Sequence, residues 1–171
     1  MKVITAVEKY KPNYGDITVF LAGGITDCDN WQKRVIDYLK TQQHTEHLVV
    51  FNPRRDKFPI NDPNAAEEQI TWEFNNLEKA DMFSMYFCDS KSDQPICLYE
   101  LGRNLQLMQN KYDNWYNRII ISSEDAYKRK QDVIIQTKLA TDNTVLVNSN
   151  ATPEKHAKNI YVKYNLLINK K

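Results

Sequence analysis

Apolar positions along the chain fall into short continuous runs, separated by longer stretches in which they recur at helical spacing. Ile17 to Leu21, Leu48 to Phe51 and Met82 to Cys88 are such runs. Their length suits strands buried on both faces rather than free-standing helices. Arg118 to Ser122 and Thr144 to Val147 read as a fourth and a fifth strand. Between the runs, Trp31, Val35, Tyr38 and Leu39 follow at i, i+4, i+7 and i+8, the pattern of an amphipathic helix. Ile70, Phe74 and Leu77 mark the inward face of a helix over Ala65 to Lys79. A further helix opens at Pro95, since proline suits a first turn where no amide hydrogen is needed. Leu98, Leu101, Leu105 and Met108 form its core-facing stripe. Residues 125–140 and 152–171 supply the last two helices, and residues 1–16 an N-terminal arm or edge strand.

Strands alternating with helices predict an α/β fold in a single domain over residues 1–171: a flavodoxin-like or Rossmann-like sandwich with a five-stranded, mainly parallel sheet and helices on both faces. In such sheets ligands sit beyond the carboxyl ends of the strands, near a switch in strand order. That directs attention to residues 22–27, 52–62 and 88–94.

Composition narrows the partners. The chain has 171 residues and a net charge of +1, so no global basic field draws it to nucleic acid or to an anionic membrane. No apolar run approaches the roughly 20 residues of a membrane span, and the N-terminus has no signal-peptide pattern. A cytoplasmic location is the expectation. The three cysteines, Cys28, Cys88 and Cys97, include no CxxC pair, and an odd count speaks against a disulfide framework or a structural zinc site. They are expected to be reduced, with Cys88 and Cys97 as small core residues. The histidines stand at no ligand spacing to them, so neither a metal nor a cofactor is expected.

The candidate chemistry lies at the predicted strand ends. Ala22-Gly23-Gly24-Ile25-Thr26 lacks the spacing of a dinucleotide or P-loop site, yet its glycines let a ligand approach the backbone. A helix beginning after Thr26 would offer free amides. Asn52-Pro53-Arg54-Arg55 puts guanidinium groups, which read carboxylates, phosphates and base edges, at the second strand end. Asp89 and Asp93 are candidate caps for the helix at Pro95. Glu73 flanks the buried stripe of its helix. Glu100 lies off its own stripe near the helix start, where the helix field favours a carboxylate, weakly by the second turn. No GxSxG, HExxH or Cys-His nucleophile pair competes with them. Paired carboxylates in a cleft suit glycosyl transfer, one attacking the anomeric carbon while a protonated one assists the leaving group.

Taken in order, Val19 to Thr26, Val50 to Arg55, Glu68 to Phe74, Ala80-Asp81, Pro95 to Arg103 and Lys130 to Thr137 resemble the nucleoside 2-deoxyribosyltransferase-like family, over roughly residues 17–150. The resemblance implies a flavodoxin-like fold and cleavage of the N-glycosidic bond of a deoxynucleoside, with the sugar passed to a free nucleobase. It makes Glu100, in Glu-Leu-Gly, the nucleophile. It puts Glu73 where the better-studied transferases carry a base-contacting aspartate. Gly23, Gly24, Thr26, Asn52, Arg54 and Asp89 are the expected substrate contacts. A homo-oligomer, dimer or higher, is implied as well, because relatives complete their pockets from a neighbour. The transferases carry an aromatic residue soon after the first strand. Here Gly24-Ile25-Thr26 stands closer to the turn of the related nucleotide N-hydrolases, and Ile168-Asn169-Lys170-Lys171 lacks the terminal aromatic residue typical of the transferases. Transfer and hydrolysis both stay open.

Overall fold

Five strands pair in parallel: β1 (Lys2–Thr5), β2 (Ile17–Gly23), β3 (Leu48–Asn52), β4 (Met82–Phe87) and β5 (Ile119–Ser123). Their order in the sheet is β1-β3-β2-β4-β5. They alternate with α1 (Trp31–Lys40), α2 (Ala65–Lys79), α3 (Pro95–Lys111), α4 (Lys130–Ala140) and α5 (Pro153–Ile168). This is the flavodoxin-like α/β arrangement. The structure, a computed structural model, describes residues 1–169, so Lys170 and Lys171 of the expected C-terminal stretch lie outside the described residues. Among the described residues no helix is long and apolar enough to cross a membrane.

The unbroken apolar runs follow from burial on both faces. Ile17, Val19 and Leu21 of β2 point into one core layer with Trp31, Val35 and Leu39 of α1 and Ile160 and Tyr164 of α5. Phe20 and Ala22 point into the other, with Leu77 of α2, Leu101 and Leu105 of α3 and Val133 of α4. In the first layer the Trp31 ring stacks on Tyr86 with centroids 4.9 Å apart. Beside it the fully buried His156 lies 2.7 Å from both Ser84 Oγ and Ser122 Oγ. Burial keeps this imidazole neutral, its pKa pushed down to about 3.

β2 is the pivot of the topology. It pairs with β3 on one side and β4 on the other, so the chain leaves it in one direction and returns on the opposite flank. A crevice opens at the carboxyl end of such a switch, and there Gly23 faces Tyr86 across the β2–β4 pair.

Several expectations are corrected. Thr144 to Val147 is not a strand. Asp142 and Asn143 turn the chain with positive φ, Val145 is buried while Leu146 is exposed, and only an isolated bridge, Ser122 to Asn148, touches the sheet. The fifth strand is instead β1, paired in parallel with β3. On α2, Ile70 and Phe74 face outward, 65% and 52% exposed. The helix turns Gln69, Trp72, Glu73 and Asn76 inward instead, each partly buried. Helix α1 starts at Trp31 with Asn30 as its cap, Asn30 Oδ1 accepting from the Lys33 amide at 3.0 Å, so its free amides stand well past Thr26. Finally, Cys28 and Cys88 are joined in a disulfide, with Cα atoms 6.4 Å apart, and only Cys97 is a free thiol, buried. Adjacent strand ends bring the two together across 60 residues of sequence, a proximity that cysteine count and spacing do not record.

Candidate active site

The residues that follow β2 and precede α3 enclose a cavity of about 200 Å³ at the switch point. Gly23, Gly24 and Thr26 form one wall, Gln94 to Cys97 another, and Glu73 and Glu100 reach in from α2 and α3.

Each wall has a local cause. A side chain on Gly23, where φ is +150°, would run into the Tyr86 carbonyl and the Trp31 ring, so only glycine lets β2 turn here. At Gly24 a Cβ would stand 2.5 Å from Cys28 Sγ and 2.7 Å from Gln94 Oε1. The Trp31 indole donates to the Gly24 carbonyl at 2.9 Å. On the far wall, Gln94 takes the left-handed conformation, φ +52°. It is the residue that caps α3, in place of Asp89 or Asp93, though its side chain makes no cap hydrogen bond. The residue before a proline is steered away from the right-handed helical region, and α3 starts cleanly at Pro95.

Glu100 lies in the second turn of α3 and Glu73 in the middle of α2. The Glu100 carboxylate accepts no hydrogen bond from the described residues. Burial first, and then the neighbouring Glu73 charge, push its pKa up to about 7, against a smaller pull from Arg103. These two effects outweigh the helix field that favours a carboxylate. Burial likewise raises the pKa of Glu73, partly offset by the Gln69 amide, which donates to Glu73 Oε1 at 2.9 Å. The same Gln69 nitrogen donates to the Pro53 carbonyl at 3.1 Å, tying α2 to the loop after β3. The site therefore holds two carboxyl groups whose pKa values are both raised by burial, Glu100 further by the charge of Glu73. Cys97, on the same wall, is held as a thiol by burial, its pKa raised to about 12.

Asn52, Arg54 and Asp89 stand outside this lining. Asn52 Oδ1 accepts from the Arg54 amide at 3.1 Å, closing a local turn at the end of β3. The Arg54 guanidinium donates to the carbonyls of Ile25 at 3.0 Å, Cys28 at 3.2 Å and Asp29 at 3.2 Å. It binds the loop after β2 from behind. Asp89 is exposed, and its amide donates to Glu124 Oε2 at 2.7 Å.

Two features of the site, one in its lining and one behind it, escaped the sequence reading. The Gln94 side chain is buried, with Nε2 donating to the Cys88 carbonyl at 2.7 Å, while its Oε1 has no partner and faces the Gly24 wall of the cavity. A glutamine inside a polar loop carries no mark of burial. Gln69, which orients Glu73, carries a signal that could have been used: it stands four residues ahead on the same helix face. Among the described residues no group of three or more His, Cys, Asp and Glu side chains is placed to hold a metal ion.

A family model described as "Nucleoside 2-deoxyribosyltransferase like" matches residues 16–112, more than half of the chain. The chain belongs to this family. The match takes in β2 to α3 and every residue of the cavity wall, and ends before the resemblance at Lys130 to Thr137. No curated protein matches the chain significantly.

Two glycines, Gly24 in the cavity wall and Gly102 in α3, should behave in opposite ways. Gly24→Ala forces Cys28 or the Gln94 amide to move and should cost about 1–3 kcal/mol. Gly102, in mid-α3, has nothing within 4 Å of a built Cβ, so Gly102→Ala should stabilise by about 0.5–1 kcal/mol. Urea unfolding of the two variants checks both signs.

Proposed function

We propose that the chain is a nucleoside 2-deoxyribosyltransferase that works through a covalent deoxyribosyl-Glu100 intermediate. The observation that carries this reading is the pair of half-buried carboxyl groups, Glu100 and Glu73, in one cavity at the sheet's switch point, both with raised pKa values. Glu100, when ionised, attacks C1′ of a 2′-deoxynucleoside through an oxocarbenium-like transition state, and the C1′–N bond to the base breaks. Glu73, when protonated, gives its proton to the departing base, a poor leaving group as an anion. A second free nucleobase then attacks C1′ of the ester through a ring nitrogen from the face the first base left, gives that nitrogen's proton to the Glu73 carboxylate and releases Glu100, with net retention. The backbone at Gly23 and Gly24 lets the substrate lie against the chain, Thr26 stands at the rim, and Gln94 Oε1 offers an acceptor to a donor on the substrate. Arg54 acts as a positioning residue through the loop it binds, Asn52 through Arg54, and Asp89 at most through the loop that leads to Gln94. The chemistry needs no metal and no cofactor. Water in place of the second base would make the chain a nucleoside or nucleoside 5′-monophosphate hydrolase.

The reading includes self-association. Ile96 lines the cavity and is 66% exposed, and Tyr99, Ile70 and Phe74 nearby on α3 and α2 are 68%, 65% and 52% exposed. A second copy laid over them would bury this apolar surface and close the cavity. Light scattering should give a dimer or higher, and Tyr99→Glu should shift it toward monomer; a monomeric wild type would remove this part of the reading.

Incubation of a deoxynucleoside with a different free base, with products separated by chromatography, should yield a new deoxynucleoside. Free deoxyribose in its place would mean hydrolysis, and binding without turnover would mean a nucleotide-binding module. Glu100→Gln should lower turnover on the order of a thousandfold or more; near-normal turnover would exclude Glu100 as nucleophile.

The pH dependence has a definite sign. The free protein needs Glu100 ionised, so kcat/KM should climb with pH through about 7. Glu73→Gln removes the second cause of that raised value, and a ¹³C NMR titration of Glu100 should find its midpoint moved to lower pH. An unmoved midpoint would show that the two carboxylates do not interact.

A further inference from the structure

The disulfide stands at a position the proposed chemistry does not use. Cys28 belongs to the loop after β2 whose first residues, Gly24, Ile25 and Thr26, form one wall of the cavity. Cys88 directly follows β4, and its carbonyl accepts the hydrogen bond that fixes the Gln94 side chain on the opposite wall. Cys28 Sγ also lies against Gly24, where a Cβ would meet it at 2.5 Å. The bond therefore ties one wall of the cavity to the other. Without it, the loop is held to its surroundings by the Arg54 guanidinium on the carbonyls of Ile25, Cys28 and Asp29, and by the Trp31 indole on Gly24. The sulfurs differ in access: Cys28 is half-buried, while Cys88 is 2% exposed.

We propose that the Cys28–Cys88 bond is a redox latch on the candidate site, which sets the loop after β2 in its substrate-binding position when oxidised and releases it when reduced by a dithiol. A dithiol's thiolate attacks the half-buried Cys28 sulfur, Cys88 leaves as a thiolate, and a mixed disulfide forms. The second thiol of the reductant attacks its own sulfur in that mixed disulfide and frees Cys28. The protein bond takes up two electrons and two protons and becomes two thiols, and the reductant is oxidised to its cyclic disulfide. Loss of the tie lets Gly24 and Gln94 separate, so the cavity widens and substrate is held less firmly. The effect should fall on KM more than on kcat, because neither cysteine of the latch lines the cavity or touches Glu100.

The kinetic part rests on the proposed transferase activity, so the test carries a second readout that does not. The full chain is prepared with oxidised or with reduced dithiothreitol, and its thiols are counted after denaturation. The oxidised form should show one thiol and the reduced form three, from the three cysteines of the sequence. Reduction should raise KM for the deoxynucleoside about tenfold, the scale of a small displacement at a binding wall. It should also speed cleavage by an Asp-directed protease at Asp27 and Asp29, both exposed in the latched loop. Cys28→Ser should behave as the reduced form under both conditions, and Cys88→Ser likewise if it folds. Equal KM and equal cleavage in the oxidised and reduced wild type would overturn the latch, as would three thiols after full oxidation. If neither form turns over substrate, the transferase reading falls, and the protease comparison still decides the latch.

Discussion

The double pairing of β2 is the constraint on which the rest of the molecule depends. One strand lies between β3 and β4, apolar on both faces, and the chain departs from it to opposite sides. Because the strands run parallel, their carboxyl ends gather at one edge, and the loops they feed must share it. Gly23 and Gly24 come to that edge as the exit from β2, the Pro53 turn as the exit from β3, and the Gln94 wall as the exit from β4. Helices α2 and α3, which deliver Glu73 and Glu100, lie on the same face of the sheet. The cavity is thus a product of topology first and of side-chain choice second.

Within it two forces oppose each other. Removing a carboxylate from water disfavours its charge, and a second carboxylate nearby disfavours it further. The start of α3 pulls the other way, but its influence has faded by the second turn, where Glu100 stands. The guanidinium groups that might have relieved the pair are engaged elsewhere. Arg103 pairs with Glu78 and lies 4.0 Å over the Phe74 ring, and Arg54 is spent on loop carbonyls. What is left is a pair of acids whose charged forms burial disfavours, with Glu100 raised to about 7.

Much of the fold was legible because buried parallel strands leave an unmistakable mark. The runs at residues 17–21, 48–51 and 82–88 admit few other readings, and the proline-started helix with its Leu101, Leu105 and Met108 stripe is as plain. The failures have physical reasons. Thr144 to Val147 has the composition of a strand, but only Val145 finds a buried place, and a turn of positive φ sends the chain past the sheet. The disulfide depends on the adjacency of β2 and β4, a property of strand order that no local spacing contains. Arg54 announced a charge at a strand end without saying that three carbonyls would claim it. Gln94 became visible as a lining residue only when its burial and its unpartnered oxygen were seen together.

Helix α2 departs from the expected pattern at two of its three positions: Leu77 is buried as expected, but Ile70 and Phe74 lie outside while Gln69, Trp72, Glu73 and Asn76 turn inward, and only Ala65 and Leu77 are fully buried. A helix that turns mostly polar groups toward its own protein, with Trp72 as its one large aromatic contact to the sheet, gains less from the hydrophobic effect than α1, where Trp31, Val35, Ile36 and Leu39 are all buried. Local opening free energy follows such burial. The molecule therefore carries Glu73 on the helix with fewer fully buried side chains than α1, held to the sheet chiefly by Leu77 and by Trp72 on Phe20 and Phe51, so amide exchange in α2 is the place where local opening would touch the site before global unfolding.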